Sequence, residues 1–175
     1  SNNKKPLILW NHRWEYDKNP KEFIDALIQL AKQGIDFEVA FLCEYFNKLP
    51  KEFIYAKDKL KDRIVQFGYA DKFSDYVKWL WKADVLPVTS IQDFFGISIA
   101  QAIYCNTIPL LPRRLAYPEL ISPEKHPDNY YEGKEDMIQK LKYMILHIKG
   151  QNSLHNSVLK YDWSKMISIY DKKLS

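Results

Sequence analysis

Cysteine is scarce in this chain. Only Cys43 and Cys105 are present, too few for a disulfide framework or a thiolate metal site. No apolar run approaches the roughly 20 residues that a membrane-spanning helix needs. The polar start "SNNKK" carries no signal-peptide pattern. Two thiols without a secretion signal predict a reducing, cytosolic setting. No Gly-x-Gly-x-x-Gly follows the first strand, so the dinucleotide fingerprint is missing, and there is no P-loop. The four histidines are scattered, without metal-ligand spacing and without a recognisable Ser-His-Asp pattern. There is no zinc finger, RNA-recognition strand signature or basic cluster. Internal repeats and low-complexity tracts are missing too.

What is present is an ordinary soluble composition. Of 175 residues, 46% are hydrophobic, 27% charged and 15% aromatic, enough for one domain with a real core. The net charge of +4 is spread along the chain. It suits a solvated basic surface and permits an anionic partner without demanding one.

Short apolar runs alternate with longer amphipathic ones. "PLILWNH" (Pro6–His12) reads as a strand. Asn19–Gly34 reads as a helix, with Phe23, Leu27, Leu30 and Ala31 at helical spacing and Gly34 as its stop. Asp36–Cys43 alternates like a strand. Leu49–Asp62 is predicted helical, starting after Pro50. Arg63–Gly68 is a strand, and Lys72–Ala83 a helix with Tyr76, Val77, Leu80 and Trp81 on one side. Asp84–Ser90 is a strand. "QDFFGISIAQAIYCN" opens a further helix, and Thr107–Pro112 a further strand. Arg114–Tyr131 is expected as a Pro-rich loop. Helices at Lys134–Lys149, near Asn152–Leu159 and at Trp163–Leu174 close the chain.

Such alternation predicts an α/β fold, an open, doubly wound, Rossmann-like parallel sheet. Ligands in such sheets sit outside the carboxyl ends of the strands. Those ends are His12-Arg13, Cys43-Glu44, Gly68-Tyr69, Ser90–Asp93 and Pro112–Arg114. The edge suits an anion-and-sugar site made from Arg13, Lys18, Asp93, the backbone of Phe95, Gly96, Ile97 and Ser98, and Gln101. A helix mouth offers unpaired N–H groups and partial positive charge, which suit a phosphate. Arg13 and Lys18 could grip a diphosphate or serve as surface cations at a strand–helix junction. Gly96 would let the backbone approach a ligand, or simply make a tight turn. Gln101 could reach ribose or stand as a polar face residue. Phe94 and Phe95 fit core or lid packing better than base stacking.

The segment "TSIQDFFGISIAQAIYCNTIPLLPRRLAYPEL" resembles the C-terminal, nucleotide-sugar-binding domain of family 4 glycosyltransferases, which have the two-domain GT-B fold. The family pattern is Glu, any residue, Phe, Gly, then a helix with a second Glu eight positions after the first, then small-x-Gly-x-Pro. Asp93, Phe95, Gly96, Gln101 and Pro109 occupy those places. The family's basic pair after the first strand matches Arg13 and Lys18 in "NHRWEYDKNP". The closing "YDWSKMISIYDKKL" resembles the family's last helix. "ILWNHRWEYDKNP", "DFFGIS", "AIYC" and "RLAYPEL" together look like the tRNA-queuosine mannosyltransferase-like group. The resemblance runs roughly from Pro6 to Tyr170.

The resemblance implies retaining transfer of a sugar from a nucleotide-diphosphate donor, with no bound metal and no other cofactor. For the narrower group the donor is GDP-mannose and the acceptor is queuosine in tRNA. By position, Arg13 and Lys18 would hold the diphosphate, amides at Gly96, Ile97 and Ser98 would hold phosphate or sugar oxygens, Asp93 would bind donor-sugar hydroxyls, and Gln101 ribose. Tyr69 and Ala70, in "GYADK", would flank the base. Both motif glutamates are changed, to Asp93 and Gln101, and the family glycine before Pro109 is Asn106 or Thr107. These departures leave open another donor with a glycan acceptor, or a non-catalytic domain of the same fold. The whole chain, 1–175, is expected to be one donor domain, whose partner would be an N-terminal acceptor domain outside it.

Overall fold

In the computed structural model, which describes residues 4–43, 50–93, 96–114 and 117–161, six strands form one parallel sheet in the order β3-β2-β1-β4-β5-β6. The elements run β1 (Leu7–Trp10), α1 (Pro20–Lys32), β2 (Glu38–Phe41), α2 (Lys51–Leu60), β3 (Ile64–Phe67), α3 (Phe73–Lys82) and β4 (Val85–Pro87). There follow α4 (Ile97–Tyr104), β5 (Ile108–Pro112), α5 (Tyr117–Leu120), β6 (Tyr130–Tyr131), α6 (Gly133–Leu146) and α7 (His155–Val158). The expected doubly wound sheet is therefore present. Its order reverses between β1 and β4, because β2 and β3 build outward on one side and β5 and β6 on the other.

Side-chain alternation along the strands separates two cores. Ile8, Trp10, Val39 and Phe41 pack with α1, α2 and α6. Leu7, Leu9, Ala40 and Leu42 pack with α3, α4, α5 and α7. With both faces covered, β1 is buried throughout, as parallel strands are. The alternation expected from Asp36 to Cys43 stops at Glu38; from Val39 to Cys43 every residue is buried.

Local chemistry explains the helix ends. Asn19 caps α1 in the left-handed region, and Pro20 follows at the first helical position, where its missing N–H costs nothing. At the other end the Gly34 amide donates to the Ala31 carbonyl and the Ile35 amide to the Leu30 carbonyl, a Schellman stop. The end of α4 is built the same way. The Asn106 amide donates to Ile103 and the Thr107 amide to Ala102, and Asn106 has φ +65°. Asn tolerates this conformation better than most residues, which is how the chain turns without the glycine of the family pattern.

Two expectations are corrected. Trp81 is 51% exposed, whereas Leu80 is buried and Trp79 packs partly on the core. The stripe of α3 that meets the sheet is narrow, running through Tyr76, Leu80 and Ala83, and Trp81 falls about 100° beyond Leu80. The stretch Arg114–Tyr131 holds α5 and β6 rather than only loop. A two-residue strand is too short to show a period, and it forms by pairing Leu111 with Tyr130 and Pro112 with Tyr131. The helix expected at Trp163–Leu174 lies outside the described residues.

Candidate nucleotide-sugar site

The reversal between β1 and β4 opens a crevice beyond their carboxyl ends, the place where such sheets bind ligands. One wall is the β1–α1 connection, the other the β4–α4 connection, and hydrogen bonds lace them together. The Thr89 hydroxyl lies 2.9 Å from the carbonyls of both Lys18 and Asn19. The Ile91 amide donates to the Asp17 carbonyl at 2.6 Å. From the end of β5, the Arg114 guanidinium reaches across to the Ser90 carbonyl at 3.0 and 3.3 Å. Trp14 packs on Phe53 and Trp10 on the core side of the first wall.

Lys18 and Asp93 meet in this crevice. Their side chains are only 15% and 13% exposed, and Lys18 Nζ lies 3.8 Å from Asp93 Oδ2. Lys18 also sits 3.4 Å from Asp17 and donates to the Gln92 carbonyl at 3.1 Å. Asp93 is held from two further sides. Its Oδ1 accepts the Gly96 amide at 3.2 Å, and its Oδ2 accepts the Tyr117 hydroxyl at 3.3 Å. Burial, and then the charge of Asp93, push the Tyr117 phenol well above its ordinary range, so it stays a donor. A carboxylate fixed this firmly keeps Lys18 over the mouth of α4. That mouth adds its own partial positive charge.

Gly96 starts α4 with φ +64°. A Cβ there would lie 3.2 Å from Leu120 Cδ1, 3.4 Å from Ile99 Cδ1 and 3.5 Å from Tyr117 Cε1. The glycine is required by its left-handed backbone and by the packing of α5, and its open side faces apolar side chains. Ile97 and Ser98 occupy the first turn of α4 as expected. Phe94 and Phe95 lie outside the described residues, as does Glu44.

A second polar set sits beneath that first turn. Asn11 Nδ2 donates to the Ser98 carbonyl at 2.9 Å and to the Tyr76 hydroxyl at 3.3 Å. Ser98 Oγ and His12 Nδ1 share a hydrogen bond of 3.1 Å. The Tyr76 hydroxyl donates to Gln101 Oε1 at 3.0 Å, so the carbonyl of Gln101 is already engaged. Asn11 and His12 are 7% and 4% exposed. Burial lowers the His12 pKa to about 4, against a smaller raising effect of Asp93, and the imidazole is neutral near pH 7.

The remaining expected residues lie at the rim. Arg13 is 67% exposed and pairs with Glu15 at 3.7 Å. Tyr69, 45% exposed, and Ala70 follow β3, two strands away from β1 on the same edge. The sequence reading gave no site role to Asn11, Tyr76, Thr89 or Tyr117, and placed His12 at the ligand edge without one. Asn11 and His12 had a signal, two polar residues directly continuing the apolar run "LILW". Tyr117 is 24 residues from Asp93 and had none.

Among the described residues, no cluster of three or more His, Cys, Asp or Glu side chains is arranged to hold a metal, and no helix is long and apolar enough to cross a membrane.

Comparison with known proteins agrees with this architecture. Residues 1–164 match the family model "Glycosyl transferases group 1". The tRNA-queuosine alpha-mannosyltransferase of Drosophila melanogaster is 35% identical over 134 residues, covering 77% of this chain and 34% of that protein. The chain thus spans about a third of that relative's length. The C-terminal domain of a glycosyl transferase group 1 protein from Francisella tularensis superposes with a TM-score of 0.70 at 19% identity, covering 90% of this chain and 86% of that one. Sucrose-phosphate synthase from Thermosynechococcus elongatus gives 0.72 at 16% identity, over 97% and 45% of the two chains. At these identities the solved structures speak for the fold, that of the Rossmann-like domains in GT-B glycosyltransferases. By its sequence match and its fold together, this chain belongs to the group 1 glycosyl transferases.

Proposed function

We propose that the chain is the donor-binding domain of a retaining glycosyltransferase, moving mannose from GDP-mannose to queuosine in tRNA. The observation that carries the donor reading is the crevice at the sheet reversal, where Lys18 is held by Asp93 over the mouth of α4. A largely buried ammonium beside a helix N-terminus suits a diphosphate. The acceptor and the sugar rest on the likeness to the Drosophila enzyme.

In this reading Lys18 and Arg13 hold the two phosphates and offset the negative charge that grows on the leaving diphosphate as the glycosidic bond breaks. The α4 amides at Ile97 and Ser98 take further phosphate or sugar oxygens. Asp93 retains lone pairs beyond those used by Gly96 and Tyr117 and accepts from a donor-sugar hydroxyl. Gln101, with its carbonyl bound to Tyr76, offers its amide hydrogens to ribose. Tyr69 and Ala70 flank the base. No metal or other cofactor takes part, since the two cations and the helix mouth supply the positive charge. An N-terminal domain brings the acceptor.

The test is transfer of labelled mannose from GDP-mannose to queuosine-containing tRNA by this chain joined to its N-terminal domain. Transfer that disappears with UDP-glucose as donor, or with tRNA lacking queuosine, supports the reading. Transfer from another nucleotide sugar to a glycan keeps the family and refutes donor and acceptor. Absence of transfer with any donor favours a non-catalytic domain.

A further inference from the structure

Asn11 and His12 end β1 at the sheet reversal, and both reach the same residue of α4. Asn11 Nδ2 binds the Ser98 carbonyl at 2.9 Å, and His12 Nδ1 binds the Ser98 hydroxyl at 3.1 Å. Ser98 is the second residue of α4, so two hydrogen bonds tie the first turn of that helix to the strand beside it. The pair is costly. Asn11 Oδ1 and His12 Nε2 are buried without a partner among the described residues, and each such atom opposes folding by the hydration it has lost. Apolar residues prolonging "LILW" would bury neither of these atoms. Buried polar groups left partly unsatisfied in a folded protein call for an explanation outside stability.

We propose that Asn11 and His12 are positioning residues that orient the first turn of α4 for the donor diphosphate. This rests on the donor reading given above. What apolar residues cannot supply is direction: two bonds to one residue fix both the rotation and the translation of the helix mouth. The neutral state of His12 belongs to the device. An imidazolium this close to Lys18 would repel it, whereas a neutral ring holds Ser98 and leaves the cation in place. The same network runs on through Tyr76 to Gln101, so strand β1 sets the first turn of α4 and Gln101, one turn further along, together.

The experiment is calorimetric titration of the 175-residue chain with GDP and, in parallel, an NMR titration with guanosine, which lacks the phosphates. Variants are His12→Ala, His12→Asn, Ser98→Ala and the His12→Ala/Ser98→Ala pair. Loss of one hydrogen bond that sets the helix mouth weakens GDP about fivefold in His12→Ala, and guanosine keeps its affinity. His12→Asn places a polar atom near the Nδ1 position and recovers GDP binding to within about twofold. Ser98→Ala loses about as much as His12→Ala, and the double variant loses no more than either, because both remove the same bond. Equal losses for GDP and guanosine, or additive losses in the double variant, overturn the proposal. If the unmutated chain binds GDP but His12→Ala binds it equally well, the positioning role is wrong and the donor reading stands. If the unmutated chain binds neither ligand, the donor reading falls and this inference falls with it.

Discussion

Substituting alanine for Gly96 tests the account of the helix mouth. The residue sits at φ +64°, where a side chain with a Cβ costs about 1–2 kcal/mol. The new methyl would also stand 3.2 Å from Leu120 Cδ1 and 3.4 Å from Ile99 Cδ1. Both are ends of flexible side chains and can yield by a few tenths of an ångström, adding on the order of 0.5–1 kcal/mol of strain. The sum is roughly 2 kcal/mol, or about 4–8 °C in melting temperature for a domain of this size. Gly34 provides the control. It has φ +75°, but a Cβ there would meet nothing within 4 Å, so Gly34→Ala loses only the conformational part. Thermal unfolding followed by circular dichroism reads both. Gly96→Ala melts below Gly34→Ala, and it weakens GDP binding, which Gly34→Ala leaves alone. Equal melting temperatures, with GDP affinity unchanged in both, would refute the packing argument.

The pH dependence of stability follows from His12. Its pKa is about 4 when folded and near 6.5 when unfolded. Between those values the unfolded chain binds the extra proton, so stability is full above about pH 6.5 and declines as pH falls toward 4, by roughly 3 kcal/mol in all. Urea denaturation at pH 7.5, 5.5 and 4.5 measures this, and His12→Asn, which has no titrating ring, shows a shallower decline. Arg13→Ala and Lys18→Met each weaken GDP binding by roughly 1.5–3 kcal/mol, the loss of a charged hydrogen bond; unchanged affinity in calorimetry removes that cation from the site. Burial pushes the Cys43 and Cys105 thiols up to about 11. Neither reacts with Ellman's reagent in the native chain at pH 8, and both react in denaturant.

Much of the fold was legible because its signals are local. The spacing of Phe23, Leu27 and Leu30, the stop at Gly34 and the start after Pro50 each mark an element without reference to the rest of the chain. The sheet follows from their alternation, and Asp93, Gly96, Ser98 and Lys18 from the crevice that such a sheet opens. What escaped is set by distant pairing. The strand Tyr130–Tyr131 exists only through Leu111 and Pro112, and Tyr117 matters only because α5 brings its hydroxyl to Asp93. Trp81 was misplaced because helical spacing shows which residues share a face but not how wide a stripe the neighbouring sheet covers. Asn11 and His12 were visible as polar residues at a strand end, but their bonds to Ser98 depend on α4 folding back beside β1, which no spacing in the sequence records.

The most direct test of the central claim is a proton–nitrogen NMR titration of the chain with GDP. The largest amide shifts are expected on Gly96–Ala100, on Lys18 and on His12, with α6 on the far side of the sheet unmoved. Shifts concentrated away from the β1–β4 crevice, or none at millimolar GDP, would contradict it.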